Sequence, residues 1–157
     1  MAPAQASLLA KLDTQERVRD FLTNAVASGR ASHAYLFLGA PGAGKLDAAW
    51  ALAQAFLCEQ DGCGACDTCV RVSRHTHPDV HYCTPESATG YLIAQTRELL
   101  DDVPLAPIRA KAKVYIIDRA EQLRANTANA LLKTLEEPPE GVMFILLGTS
   151  ADVMLPT

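Results

Sequence analysis

Apolar residues along the chain occur in two patterns, one with helical spacing and one in short continuous runs. The helical spacing predicts helices over residues 14–28, 45–58, 93–100 and 127–136, with a further short helix after residue 69. The continuous runs predict strands over residues 34–38, 79–83, 114–117 and 142–147. Because the strands are nearly all apolar and helices separate them, the pattern predicts an α/β fold. The expected architecture has three layers, αβα, around a mainly parallel sheet that is covered on both faces.

Composition narrows the class of protein without identifying it. The chain has 157 residues, of which 49% are hydrophobic and 20% charged, so it can bury the core of a single domain and is not intrinsically disordered. Its net charge of −4 argues against a nucleic-acid binder that relies on overall charge. The basic stretch at 109–113 is expected to be a solvent-facing turn, with a DNA contact as the alternative. The longest apolar strand is too short to cross a membrane, and no secretory signal precedes it.

A glycine-rich loop, GAPGAGK at residues 39–45, follows the first predicted strand and opens the next helix. In this context the backbone N–H groups beside Gly39, Gly42 and Gly44 can surround phosphate oxygens, and Lys45 can contact the outer phosphates. A tight glycine-rich turn without a ligand is the alternative. The next position normally carries a Ser or Thr that binds Mg²⁺, but here it is Leu46, which has no oxygen to offer. The sequence therefore predicts a nucleotide site that is degenerate and a poor ATPase.

A second part of such a site is an acidic residue at the end of a neighbouring strand. Asp118 follows the strand at 114–117 and could reach Mg²⁺ through water, although it could equally cap the end of the strand. The residue after it is Arg119, where hydrolysing enzymes of this architecture carry the Glu that activates water. Glu121 is expected to point elsewhere. Two separate parts of the hydrolytic machinery are thus replaced.

Four of the five cysteines lie within twelve residues, at positions 58, 63, 66 and 69. Four thiolates at CxxC-type spacing complete a tetrahedral zinc site, with no position left for water, so the predicted role of Zn²⁺ is structural. Buried free cysteines and a redox-active pair are the alternatives. Neither His75 nor His77 is expected to bind the metal. Cys83 is expected to be a thiol of the core.

Taken together, these segments resemble the bacterial replicative clamp-loader subunits, which are P-loop NTPases of the AAA+ class. The resemblance runs from about residue 14 onward. It depends on SHAYLF at 32–37, the cysteine insert directly after the P-loop helix, HPD at 77–79, KVYIID at 113–118, and NTANALLKTLEEPP at 126–139. It implies that residues 1–157 are an N-terminal AAA+ domain with a zinc insert at about 58–70. It also implies that an arginine-finger motif, a lid and a collar domain would follow. Thr149 matches the position of the family's phosphate sensor; a plain strand-end threonine is the alternative.

Two groups of this family differ at the nucleotide site, and Leu46 and Arg119 favour one of them. The gamma/tau motor keeps the Thr and the acidic pair, whereas the delta-prime group often lacks them and acts as a rigid stator. The resemblance thus implies a stator with little or no hydrolysis of its own, with an ATP-hydrolysing gamma/tau-type motor as the alternative. The implied partners are the gamma/tau and delta subunits and, through them, the sliding clamp and primed DNA. The implied setting is the cytoplasmic DNA polymerase III holoenzyme, a nucleotidyltransferase, with no membrane contact.

Overall fold

A four-stranded parallel sheet forms the centre of the computed structural model, which describes residues 7–12 and 15–149. Its strands are β1 (Ala34–Leu38), β2 (Val80–Cys83), β3 (Lys113–Ile117) and β4 (Val142–Gly148), and their order across the sheet is β1-β4-β3-β2. Every neighbouring pair is parallel, with Ala34 opposite Phe144 and Val80 opposite Val114. All four carboxyl ends therefore meet at one edge, where ligands of such sheets bind. The α/β fold and the parallel sheet are confirmed.

Within the described residues, five α-helices connect and cover the strands. They are α1 (Glu16–Ala27), α2 (Lys45–Leu57), α3 (Asp67–Ser73), α4 (Ile93–Asp102) and α5 (Ala125–Glu136). The predicted helices agree within about two residues at their ends, except that α3 begins before Cys69 rather than after it. Gly29 lies just after the end of α1, and its φ of 71° provides the left-handed turn that commonly follows a helix. Residue 14, the first residue of the helix predicted at 14–28, lies outside the described residues.

The core divides into two clusters, one on each face of the sheet. One cluster contains the buried alanines and leucines of α2 with residues such as Leu22, Val114 and Met143. The other contains Leu99 of α4 and Leu131 of α5, packed against Phe144 and other residues of β3 and β4. Because both faces are covered, β3 and β4 are buried at every position, which explains why their sequences are continuous apolar runs.

The prediction of an exposed basic turn at 109–113 holds for Arg109 and Lys111, but it is wrong for Lys113, whose side chain is only 2% exposed. Its ammonium group donates to the carbonyl oxygens of Asp102 and Leu105 and lies 3.2 Å from Asp102 Oδ2. Asp102 also accepts a hydrogen bond from the Tyr115 hydroxyl at 2.5 Å. A buried cation is tolerated here because it is paired and hydrogen-bonded. The lysine is thus part of the packing between β3 and the end of α4, and it is not available to DNA.

Asp79 fixes the loop that leads into β3. Its buried carboxylate accepts backbone hydrogen bonds from Ile108 at 2.6 Å and from Arg109 and Ala110 at 2.7 Å. Burial opposes ionisation of this carboxyl, but the three N–H donors outweigh burial and hold its pKa below the usual value. The HPD segment therefore has a structural role, since it ties the start of β2 to the start of β3.

Candidate functional site: a phosphate loop and a four-cysteine cluster

The glycine-rich loop lies at the carboxyl edge of the sheet, between β1 and α2. Gly42 and Gly44 have φ values of 83° and 91°, a backbone conformation that other residues adopt only with strain. Gly39 has no room for a side chain, because a Cβ there would lie 3.1 Å from the Cβ of Ala43. The Lys45 ammonium donates to the carbonyl oxygens of Gly39 at 2.7 Å and Gly148 at 3.0 Å. The loop is thus folded around its lysine, with the amino end of α2 behind it.

A cavity of about 540 Å³ opens beside this loop. Its wall brings together most of the residues singled out from the sequence, namely Gly42, Gly44, Lys45, Leu46, Asp118, Arg119, Glu121 and Thr149. Gly39 is not on the wall and acts through its carbonyl oxygen. Leu46 lines the cavity and also packs against the core cluster beside α2, so its side chain has a structural place as well.

Asp118 follows β3 and is held in a defined orientation. Its Oδ1 accepts the backbone N–H of Arg119 at 2.9 Å, and its Oδ2 accepts the hydroxyl of Tyr82 at 2.6 Å. Arg119 has a φ of 47°, in the left-handed region, and its guanidinium donates to the hydroxyl of Thr84 at 3.1 Å. The residue at the position of the expected base is therefore a cation bonded to a neighbouring loop, and it can take no proton.

Glu121 corrects the sequence-based expectation, because it lies on the cavity wall. The left-handed turn at Arg119 leads into a 3-10 turn over Ala120–Gln122, which changes the direction in which the chain leaves β3. One carboxylate oxygen of Glu121, Oε2, is buried without a hydrogen-bond partner among the described residues. The cavity wall thus includes a second acidic residue besides Asp118.

Tyr82 was not identified from the sequence. It lies in β2, opposite Ile116 of β3, so that its side chain and that of Asp118 fall on the same face of the sheet. Spacing along the chain cannot bring residues 82 and 118 together; only the pairing of β2 with β3 does so.

The four cysteines of the insert converge on one point. The Sγ atoms of Cys58, Cys63, Cys66 and Cys69 all lie within 4.8 Å of one another. The Cys58–Cys66 pair is separated by 3.8 Å and the Cys63–Cys69 pair by 4.0 Å. A tetrahedral ion with metal–sulfur bonds of about 2.3 Å would have sulfurs about 3.8 Å apart. These four close cysteines could therefore hold a metal ion with little rearrangement.

Backbone N–H groups of the same loop donate hydrogen bonds to the cysteine cluster. The N–H groups of Ala65 and Cys66 point at Cys63 Sγ, at 3.5 Å and 3.4 Å, and they lower the pKa of the Cys63 thiol to about 6. Burial raises the pKa of the Cys66 and Cys69 thiols. Since a metal ion binds thiolates, its binding would release the protons of these two groups. Gly62 and Gly64, with φ values of 96° and 78°, let the loop turn tightly between the ligands.

The histidines near the cluster have other contacts. The His75 ring stacks on Trp50, with ring centroids 3.9 Å apart and planes inclined by 9°. His77 Nδ1 accepts the backbone N–H of Asp79 at 3.0 Å. Cys83 is half-buried and packs against the core cluster that contains Phe144. Among the described residues, the group that could hold a metal ion therefore contains the four cysteines and no histidine.

Comparisons with known proteins agree with these features. The family model described as DNA polymerase III, delta subunit, matches residues 14–157. The delta' subunit of DNA polymerase III from Bacillus subtilis is 39% identical over 148 residues, which are 92% of this chain and 45% of that protein. The tau subunit from Escherichia coli is 43% identical over 139 residues, which are 86% of this chain and 21% of that protein. The chain thus spans less than half the length of these relatives.

Solved structures give the fold. A DNA polymerase III gamma-subunit-related protein from Thermotoga maritima superposes with a TM-score of 0.60 at 21% identity, covering 87% of this chain and 41% of that one. The RuvB Holliday junction branch migration motor from the same organism superposes with a TM-score of 0.53 at 19% identity, covering 90% and 40%. No helix of the described residues is long and apolar enough to cross a membrane. The parallel sheet, the phosphate loop and a family match over nearly the whole sequence together establish that the chain belongs to the DNA polymerase III delta-subunit family of AAA+ clamp-loader proteins.

Proposed function

We propose that this chain is the N-terminal AAA+ domain of a delta-prime-type stator, which helps a clamp loader place the sliding clamp on primed DNA without hydrolysing ATP itself. The observation that carries the proposal is the cavity wall, where Leu46 and Arg119 occupy the positions of a metal ligand and a catalytic base. Its expected partners are the gamma/tau and delta subunits. The similarity to the delta' subunit of Bacillus subtilis supports this assignment.

The residues around the loop fit phosphate groups better than they fit Mg²⁺. Lys45, the N–H groups of the loop and the amino end of α2 are cationic or hydrogen-bond donors, and they suit an anion. Mg²⁺ requires oxygen ligands, and Leu46 supplies none, while both oxygens of Asp118 already accept hydrogen bonds. Thr149 lies on the wall where a phosphate contact is expected, and we assign it that role.

A motor of the gamma/tau type is the second candidate, and one observation favours it. Glu121 lies on the cavity wall, with its Oε2 without a hydrogen-bond partner among the described residues, and it could replace the base that Arg119 has displaced. The 43% identity with the tau subunit of Escherichia coli is compatible with this role. In that case the protein would hydrolyse ATP, and Glu121→Gln would abolish turnover while leaving nucleotide binding in place. A stator would show no turnover in either form.

Assembly is the direct test of the stator. The full-length protein is mixed with gamma/tau and delta subunits and separated by gel filtration, and we expect one complex that contains all three. A parallel calorimetric titration with Mg-ATP compares the wild type with Leu46→Thr, which restores a hydroxyl to the loop. We expect weak or absent binding by the wild type and tighter binding by the variant. Separate elution of the three subunits would contradict the proposal.

We also propose that the four-cysteine cluster binds one structural Zn²⁺. A Cys₄ set with near-tetrahedral sulfur spacing is the donor set that zinc favours, and it leaves no open position for chemistry. Metal analysis of the purified protein is expected to give one zinc per chain, and Cys69→Ser to give much less. Cys83→Ser, which changes the one cysteine outside the cluster, is the matched control and should retain the metal. A wild-type protein with reduced thiols and well under one equivalent of zinc would contradict this proposal.

A further inference from the structure

The hydrogen bond between Tyr82 and Asp118 has no place in the chemistry described so far. Tyr82 Oη donates to Asp118 Oδ2 over 2.6 Å, and the backbone N–H of Arg119 donates to Oδ1. Both oxygens of the carboxylate thus have a donor from within the protein. A bond of this kind to an ionised acceptor is stronger than one between neutral groups.

Two features hold Tyr82 in this position, and a third keeps its hydroxyl protonated. Its backbone is fixed in β2, where it pairs with Ile116. Its ring lies beside that of Trp50, with the centroids 6.2 Å apart, and Trp50 is in turn stacked on His75. Burial and the hydrogen bond to Asp118 raise the pKa of the Tyr82 phenol, so the hydroxyl keeps its proton and remains a donor at neutral pH.

We propose that Tyr82 is a positioning residue that engages Asp118 and so lowers the affinity of the phosphate cavity for divalent cations. The inference depends on the proposed function in one respect, since it concerns the same degenerate phosphate site. A cation, or water bound to it, needs a lone pair of Asp118 and competes with the phenol for Oδ2. The ligand class that remains is a phosphate group or polyphosphate without Mg²⁺, bound by the loop N–H groups and Lys45.

Removing the phenol oxygen should create a dependence on divalent cations. In Tyr82→Phe the ring stays in place beside Trp50, but Oδ2 loses its donor and becomes available. A hydrogen bond to a charged acceptor is worth roughly a factor of ten in an equilibrium, reduced here because Tyr82 is partly exposed. We expect the affinity for Mn²⁺, measured by water proton relaxation in the full-length protein, to rise at least about fivefold.

Two further variants locate the effect. Asp118→Asn in the Tyr82→Phe background should remove the gained Mn²⁺ affinity. Tyr35→Phe is the matched control, because it deletes a hydroxyl on β1, at the opposite edge of the sheet, where it accepts the N–H of Ser32. That variant should bind Mn²⁺ as weakly as the wild type. Calorimetric titration with ATP in Mg²⁺ or in EDTA is the second readout, and the ratio of the two affinities should rise only in Tyr82→Phe.

The outcomes separate this inference from the proposed function. Equal Mn²⁺ affinities in wild type and Tyr82→Phe would overturn it, and so would a wild-type affinity that falls in the single variant Asp118→Asn. The second comparison does not depend on how well Tyr82→Phe folds. Turnover of ATP by the wild type would contradict the stator role, whereas the Tyr82 comparison could still be made and would give its own answer.

Discussion

Replacing Asp79 by Asn should destabilise the domain more than the same change at an exposed carboxylate. The native carboxylate accepts three backbone hydrogen bonds from Ile108, Arg109 and Ala110, and its side chain is buried. The amide keeps one acceptor oxygen, which can retain the two donors now on Oδ2. Its NH₂ group then faces the N–H of Ile108.

The magnitude follows from what is lost. One hydrogen bond to a charged acceptor contributes about 1.5–3 kcal/mol, and the two that remain become weaker because the acceptor is neutral. We therefore expect the free energy of unfolding to fall by about 3 kcal/mol at pH 7. Urea unfolding of both proteins measures this difference directly. Asp101→Asn is the control, since Asp101 is exposed, and it should change stability by less than about 0.5 kcal/mol.

The pH dependence gives a second check on the same residue. Because the folded-state pKa of Asp79 is lowered, its contribution is fully present above the unfolded value of about 3.9 and is lost as the pH falls through the folded value. The gap between wild type and Asp79→Asn should be constant from pH 7 to about pH 5 and shrink as the pH falls below about 4. A loss under about 0.5 kcal/mol at pH 7, or a gap that does not change with acid, would refute the role assigned to this carboxylate.

Two further changes test the cysteine insert and a tight turn. Chelation of metal from the wild type should lower the thermal unfolding temperature, and re-addition of Zn²⁺ should restore it, whereas the Cys69→Ser protein should respond to neither treatment. Gly90→Ala should cost about 2–4 kcal/mol in urea unfolding, because φ is 127° and the new Cβ would lie 2.8 Å from the carbonyl oxygen of Gln122. Gly29 has a φ of 71° and open space around it, so Gly29→Ala should lower the free energy of unfolding by only about 1 kcal/mol. Equal losses for the two glycines would contradict this reasoning.

Features that depend on nearby residues were predictable from the sequence. The strands were found because burial on both faces requires continuous apolar runs, and the cysteine cluster because its ligands lie within twelve residues. Lys113 was misplaced because its partners, Asp102 and Leu105, are brought to it by the packing of α4. Glu121 was misplaced because the left-handed backbone of Arg119 redirects the chain.

The order of the strands in the sheet could likewise not be predicted from the sequence pattern. Alternating helices and strands predict a parallel sheet but do not say which strands are neighbours. The contact of Tyr82 with Asp118 depends on the pairing of β2 with β3, so it became visible only with the sheet assembled. The replaced residues Leu46 and Arg119 needed no such information, because both are defined by their distance from a motif in the chain.

ATP turnover in the assembled clamp loader distinguishes a stator from a motor. The full-length protein is combined with delta and with gamma/tau subunits that cannot hydrolyse ATP, so that any turnover comes from this chain. Lys45→Ala, which removes the loop's ammonium group, defines the background. If this chain is a stator, the wild-type complex turns over ATP no faster than the Lys45→Ala complex. Turnover well above that background, abolished by Lys45→Ala, would mean that the cavity hydrolyses ATP despite Leu46 and Arg119 and that the protein is a motor.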